Sequence, residues 1–138
     1  MRVLLTGAAG FVGRVALDLL RVRHQVTPFD VRSVEGCDDA IVGDVLDYDA
    51  VSAAMEGCDA VVNTIMAPNA SYGDNGPGFT INVSGMYNLL EAAHTHGIKR
   101  FVHTSSGAVH TGYPLPPETR LTHDLYPLKA AGPYALSK

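Results

Sequence analysis

Three glycines at three-residue intervals, Gly7, Gly10 and Gly13, lie between a short apolar run and a helical repeat. That join constrains the fold more than any other feature of the chain. The run at 2–6 reads as a strand. From about Gly10, the apolar residues Val12, Val15, Ala16, Leu19 and Leu20 recur at helical spacing. Strand, tight turn and helix form the first arm of a βαβ unit, in which the next strand lies parallel to the first.

The same alternation continues. Strands are predicted at 25–29 (ending at Asp30), 40–42, 60–64 and 100–104. Asp47 is placed to N-cap a helix reaching Met55 or Glu56, with Gly57 at its C-terminal turn. A long helix is predicted over 79–96, closed by Gly97, and a last one opens at Pro133. Residues 66–77 and 107–130 read as loops. Alternating strands and helices give an α/β fold with a doubly wound parallel sheet in three layers. At 138 residues, the chain makes one domain. Apolar residues nearly encircle helix 79–96, which predicts packing on more than the sheet and so a subunit interface.

Charge narrows the partners. A net charge of −4 with no Lys/Arg cluster argues against a nucleic-acid or anionic-membrane surface. The opening Met1-Arg2-Val3-Leu4-Leu5 is too short for a signal segment, and no stretch has membrane-spanning length. Cys37 and Cys58 lack metal-ligand spacing, and His94 and His96 do not share a helix face. Reduced cysteines fit a cytoplasmic protein without a metal.

Five groups of residues carry chemistry. The glycines allow close approach of phosphate oxygens, and a helix N-terminus offers free N–H groups and a positive dipole end. In its strand–turn–helix context, G-x-x-G-x-x-G reads as a dinucleotide cradle, although the commoner fingerprint is G-x-G-x-x-G. Asp30, at the end of the second strand, suits ribose hydroxyls and repels a 2′-phosphate, which favours NAD over NADP. Arg32 softens that preference. Asp44, beside Val45, is placed to accept a hydrogen bond from an adenine amino group. Ser105 and Ser106 follow the fifth strand, where ligands of parallel sheets bind. Tyr134 and Lys138 lie four apart on one helix face, and an ammonium one turn from a phenol favours phenolate.

As a set these residues resemble the extended short-chain dehydrogenase/reductases, the NAD-dependent epimerase/dehydratase family. The resemblance rests on Thr6-Gly7-Ala8-Ala9-Gly10-Phe11-Val12-Gly13, Asp30, Asp44-Val45, the helix text Asn82-Val83-Ser84-Gly85-Met86-Tyr87-Asn88-Leu89-Leu90-Glu91-Ala92-Ala93, strand 100–106 and Pro133-Tyr134-Ala135-Leu136-Ser137-Lys138. It implies a Rossmann-type NAD(P)-binding domain over 1–138, the N-terminal part of a longer enzyme whose further strands and substrate region are lacking. It also implies that Tyr134 is the catalytic acid/base, that Lys138 holds the ribose and that Ser106 orients the substrate hydroxyl. Gly7, Gly10, Phe11, Val12, Asp30, Asp44, Val45, Thr64, Tyr134 and Lys138 would contact the cofactor.

The implied substrate is a sugar or nucleotide sugar, with a homodimer through helix 79–96. The text His110-Thr111-Gly112-Tyr113-Pro114 loosely resembles uronate dehydrogenases, which keeps a sugar or uronic-acid dehydrogenase open as an alternative. So is a truncated, non-catalytic NAD-binding module, since relatives continue past the Lys, and little turnover is expected of 138 residues alone. The chain departs from the family at Asn63-Thr64-Ile65-Met66-Ala67, where smaller side chains are usual, and at His110, where many epimerases have Tyr.

Overall fold

A computed structural model describes residues 1–67, 77–110, 112 and 128–138. Five parallel strands form one sheet: β1 (Arg2–Thr6), β2 (Gln25–Asp30), β3 (Ile41–Val42), β4 (Ala60–Asn63) and β5 (Phe101–His103). Their order is β3-β2-β1-β4-β5. The helices are α1 (Phe11–Arg21), α2 (Tyr48–Met55), α3 (Pro77–Thr95) and the short α4 (Pro133–Leu136), with a 3-10 turn at Gly107–His110. The parallel α/β architecture agrees with the alternation read from the sequence. The chain reverses its winding between β1 and β4, and parallel sheets bind ligands at such a switch point.

Side-chain alternation along the strands divides the core in two. Leu4, Phe29 and Val61 face α2 and α3, packing with Val51, Met55, Leu89 and Ala92. Leu5 and Val26 face the other way, with Leu17 of α1. Element ends differ from expectation by a residue or two. Strand β4 stops at Asn63 because the Thr64 hydroxyl turns back to donate to the Thr6 carbonyl at 2.8 Å. Helix α3 begins at Pro77, where proline's missing N–H has no intrahelical partner to lose. The expected loop at 66–77 is therefore shorter by one residue at that end, and its residues 68–76 lie outside the described residues, as do 111 and 113–127 of the expected 107–130 loop. Part of the latter, Gly107–His110, is a 3-10 turn.

Helix α3 is less enclosed than its composition suggests. Leu89 and Ala92 are fully buried, but Val83, Tyr87 and Leu90 form an exposed stripe. None of the described helices is long and apolar enough to cross a membrane.

The two helix starts on either side of β3 are built differently. Asp47 caps α2 by accepting from the N–H groups of Asp49 and Ala50 at 3.0 and 3.1 Å. Helix α1 has Gly10 as its N-cap and no side-chain cap. Asp47→Ala is expected to destabilise the protein by about 1 kcal/mol, read as a lower urea midpoint with an unchanged slope.

Candidate active site

The switch point opens into a cleft of about 430 Å³. Gly7, Gly10, Phe11, Val12, Asp30, Asp44, Val45, Thr64, Tyr134 and Lys138 all line it. These ten residues come from five separate stretches of the chain, and the strand order brings them together. Val31, Arg32, Ile65, Met66, Ala67, Ile81, Thr104 and Ser105 complete the lining.

The glycine loop is tightly closed. Gly7 has φ +77°, and a Cβ there would come within 2.8 Å of the Thr64 and Ile65 backbone. At Gly13 a Cβ would overlap the Gly7 carbonyl. The loop lies flat against the first turn of α1, whose N–H groups no side chain caps. Both the concavity and the free donors fit a pyrophosphate.

Asp30 is buried but not saturated. One oxygen accepts from Ala9 N–H at 3.0 Å and the other from Arg32 N–H at 3.0 Å. The Arg32 guanidinium approaches the second oxygen at 3.6 Å while remaining largely exposed. An ionised carboxylate offers about four lone-pair directions, so acceptor capacity remains for ribose hydroxyls. Asp44 ties down its own turn by accepting from Leu46 N–H at 2.9 Å. Asn88 of α3 donates to the Val45 and Leu46 carbonyls at 3.0 and 3.1 Å. Gly85 lets that helix sit directly against Val45.

At the other end, Gly132 (φ +108°) and Pro133 turn the chain into α4 and place Tyr134 in the cleft. The Tyr134 hydroxyl contacts the Met66 sulfur at 3.6 Å. Lys138 donates to the Ile65 carbonyl at 3.0 Å, and burial pushes its ammonium below the usual lysine range. Asn82 links the two walls, accepting from Ala67 N–H at 3.3 Å and donating to the Ser137 hydroxyl at 3.0 Å.

The two serines separate. Ser105 lines the cleft, and its hydroxyl donates to the Lys138 carbonyl at 3.2 Å. Ser106 does not line it; its hydroxyl accepts from Ala108 N–H at 3.2 Å and starts the 3-10 turn. Asn82 and Asn88 carry contacts that sequence reasoning did not assign. Arg32 was visible only as a neighbour of Asp30, and the two asparagines only as family-like helix text. Thr64 lines the cleft with its hydroxyl already given to β1. Among the described residues, no group of acidic, His or Cys side chains is arranged to hold a metal.

A glycine loop, an acidic strand end and a Tyr/Lys pair gather around one crevice of a Rossmann-like parallel α/β sheet. A family model described as "NAD dependent epimerase/dehydratase family" matches residues 3–138, and the chain belongs to that family. It is similar to L-arabinose 1-dehydrogenase (NAD(P)(+)) of Haloferax volcanii, 41% identical over 86% of this chain and 46% of that protein. It is also similar to UDP-glucose 4-epimerase of Mycolicibacterium smegmatis, at 34% identity over 100% of this chain and 48% of that one. A short-chain dehydrogenase/reductase superfamily protein from Agrobacterium tumefaciens, crystallised with bound NAD, superimposes with a TM-score of 0.87 at 34% identity. That match covers 100% of this chain and 42% of the other. The chain thus spans about half the length of these relatives or less.

Proposed function

We propose that this chain is the cofactor-binding part of an NAD-dependent enzyme that acts on a hydroxyl of a sugar or nucleotide sugar. One observation carries the reading: ten residues scattered along the sequence converge on one cleft at the switch point, with phosphate donors at one end and Tyr134 and Lys138 at the other. The first turn of α1 and the glycine loop would hold the pyrophosphate, Asp30 the adenosine ribose, and the Asp44–Val45 turn the adenine. When bound, the nicotinamide would supply a hydride acceptor and donor. Tyr134 would take the hydroxyl proton as the carbon is oxidised and return it on reduction. Lys138, anchored on Ile65, would keep positive charge beside the phenol and hold the nearer ribose. Ser106 was expected to orient the substrate hydroxyl; Ser105 lines the cleft and is the better placed of the two for that role.

Epimerisation or dehydration returns the hydride to the substrate, whereas a dehydrogenase releases NADH. The L-arabinose dehydrogenase relative, at 41% identity, favours carrying the second reading alongside the first. Absorbance at 340 nm separates them. Stoichiometric NADH from an aldose or uronic acid supports the dehydrogenase, and isomerised product without net NADH supports the epimerase. Absence of both activities and of any NADH binding would sink the proposal.

Asp30 gives the cofactor preference. Its carboxylate would repel a 2′-phosphate, while Arg32 offsets part of that repulsion. NADH is expected to bind at least about tenfold tighter than NADPH, and Asp30→Asn should narrow the gap in a titration calorimeter. An unchanged ratio would remove Asp30 from this role. A second copy of the chain would cover Val83, Tyr87 and Leu90 on α3, and Tyr87→Glu is expected to shift a dimer to monomer in sedimentation.

A further inference from the structure

Beneath the cleft floor, three polar side chains form a row across the sheet. Thr6, Asn63 and His103 are register partners at the ends of β1, β4 and β5. All three lie on the α3 face, because Leu4, Val61 and Phe101, two residues earlier in each strand, pack into the α2/α3 core. The Thr6 hydroxyl donates to Asn63 Oδ1 at 2.8 Å, and Asn63 Nδ2 lies 3.2 Å from His103 Nδ1.

A backbone donor settles the direction of this row. Asn63 Oδ1 also accepts from Ile65 N–H at 3.0 Å. The amide cannot turn over without facing its NH₂ group to that N–H. Asn63 Nδ2 must therefore donate, and His103 Nδ1 must accept with no proton of its own. Ile65 is also the residue whose carbonyl receives the Lys138 ammonium at 3.0 Å. Lys138 and His103 line the same small hollow, together with Asn63, Asn82 and Met86. Lys138 is the charged member of that described lining. Apart from His103 itself, the strand and α3 residues that line the hollow carry no titratable side chain.

We infer that His103 is a positioning residue for Lys138. Through Asn63, its unprotonated Nδ1 fixes the N–H side of Ile65, the residue whose carbonyl anchors the ammonium. A proton on Nδ1 would set donor against donor at Asn63. Turning the amide to relieve this would orphan the Ile65 N–H, and the imidazolium would add a second positive charge beside Lys138. The anchor would loosen as pH falls. Burial first, and then the charge of Lys138, already hold the imidazolium below the usual histidine range, so the device stays set near neutrality. The consequence for cofactor binding rests on the dinucleotide reading above; the row itself does not.

Two measurements on the 138-residue protein test this. Long-range ¹H–¹⁵N NMR is expected to show His103 protonated on Nε2 alone at about pH 7.5, with Lys138→Met moving its titration midpoint upward. NADH affinity should fall by about tenfold between about pH 7.5 and about pH 5.5. In His103→Asn, whose amide oxygen still accepts from Asn63 but takes up no proton, the change should stay within about twofold. A proton on Nδ1, a midpoint indifferent to Lys138→Met, or the same pH dependence in His103→Asn would each overturn the inference. If NADH binds at no pH, the dinucleotide reading falls, and the tautomer and midpoint decide the inference by themselves.

Discussion

Gly13→Ala is expected to cost about 3 kcal/mol or more, the upper end for overpacking, because the obstacle is backbone and cannot change rotamer. The new methyl would overlap the Gly7 carbonyl, and Gly7 is itself pinned, donating its N–H to the Phe29 carbonyl at 2.9 Å. Either α1 lifts from the sheet or the loop opens, and both spoil the surface offered to phosphate. For a domain of this size the melting temperature should drop by about 10 °C or more, with NADH binding lost in the same variant. Gly36→Ala is the control. Gly36, unlike Gly13, has positive φ (+74°), and nothing lies within 4 Å of the added carbon, so only conformational strain of about 1–2 kcal/mol applies. Equal losses in circular-dichroism melts of the two variants would show that the contact with Gly7 is relieved cheaply and that crowding does not govern the loop.

Tyr134→Phe is expected to lower kcat by about a hundredfold to ten-thousandfold, the usual worth of a positioned acid/base. The aromatic ring stays in place, and the contact of the hydroxyl with the Met66 sulfur, at 3.6 Å, is weak. Folding should survive the change because the ring is kept, and a circular-dichroism melt checks it. On the proposed reading, the assay follows an aldose, uronic acid or nucleotide sugar, as NADH formation at 340 nm or as isomerised product. A loss confined to KM would make Tyr134 a binding group and move the proton transfer elsewhere.

How much of this was legible beforehand follows from how each feature is encoded. The sheet was readable because period-2 and period-3.6 patterns alternate along the chain, and the cradle because its glycines, strand and helix are contiguous. Strand ends were less so: β4 ends at Asn63 because of the Thr64 hydroxyl bond to β1, and nothing near residue 64 in sequence announces that partner. The serine pair shows the same limit. Ser105 and Ser106 are adjacent, and only the start of the 3-10 turn decides which hydroxyl faces the cleft. The Thr6–Asn63–His103 row was invisible for the same reason, since its members meet only through strand register. Arg32 was noted, but its approach to Asp30 depends on how the chain leaves β2.

Helix α3 touches both ends of the cleft through amides on its own length. Asn88 holds the turn proposed for adenine, and Asn82, six residues earlier, holds Ser137 beside Lys138. Six residues of helix span about 9 Å, a rigid strut between the two stations. The groups proposed for the adenine end and for the hydride end are thus mounted on a common frame. A tilt of α3 large enough to admit a bulkier base would drag α4 with it, so changes in cofactor choice should come from residues at the end of β2 such as Asp30 and Arg32 and leave α3 unmoved.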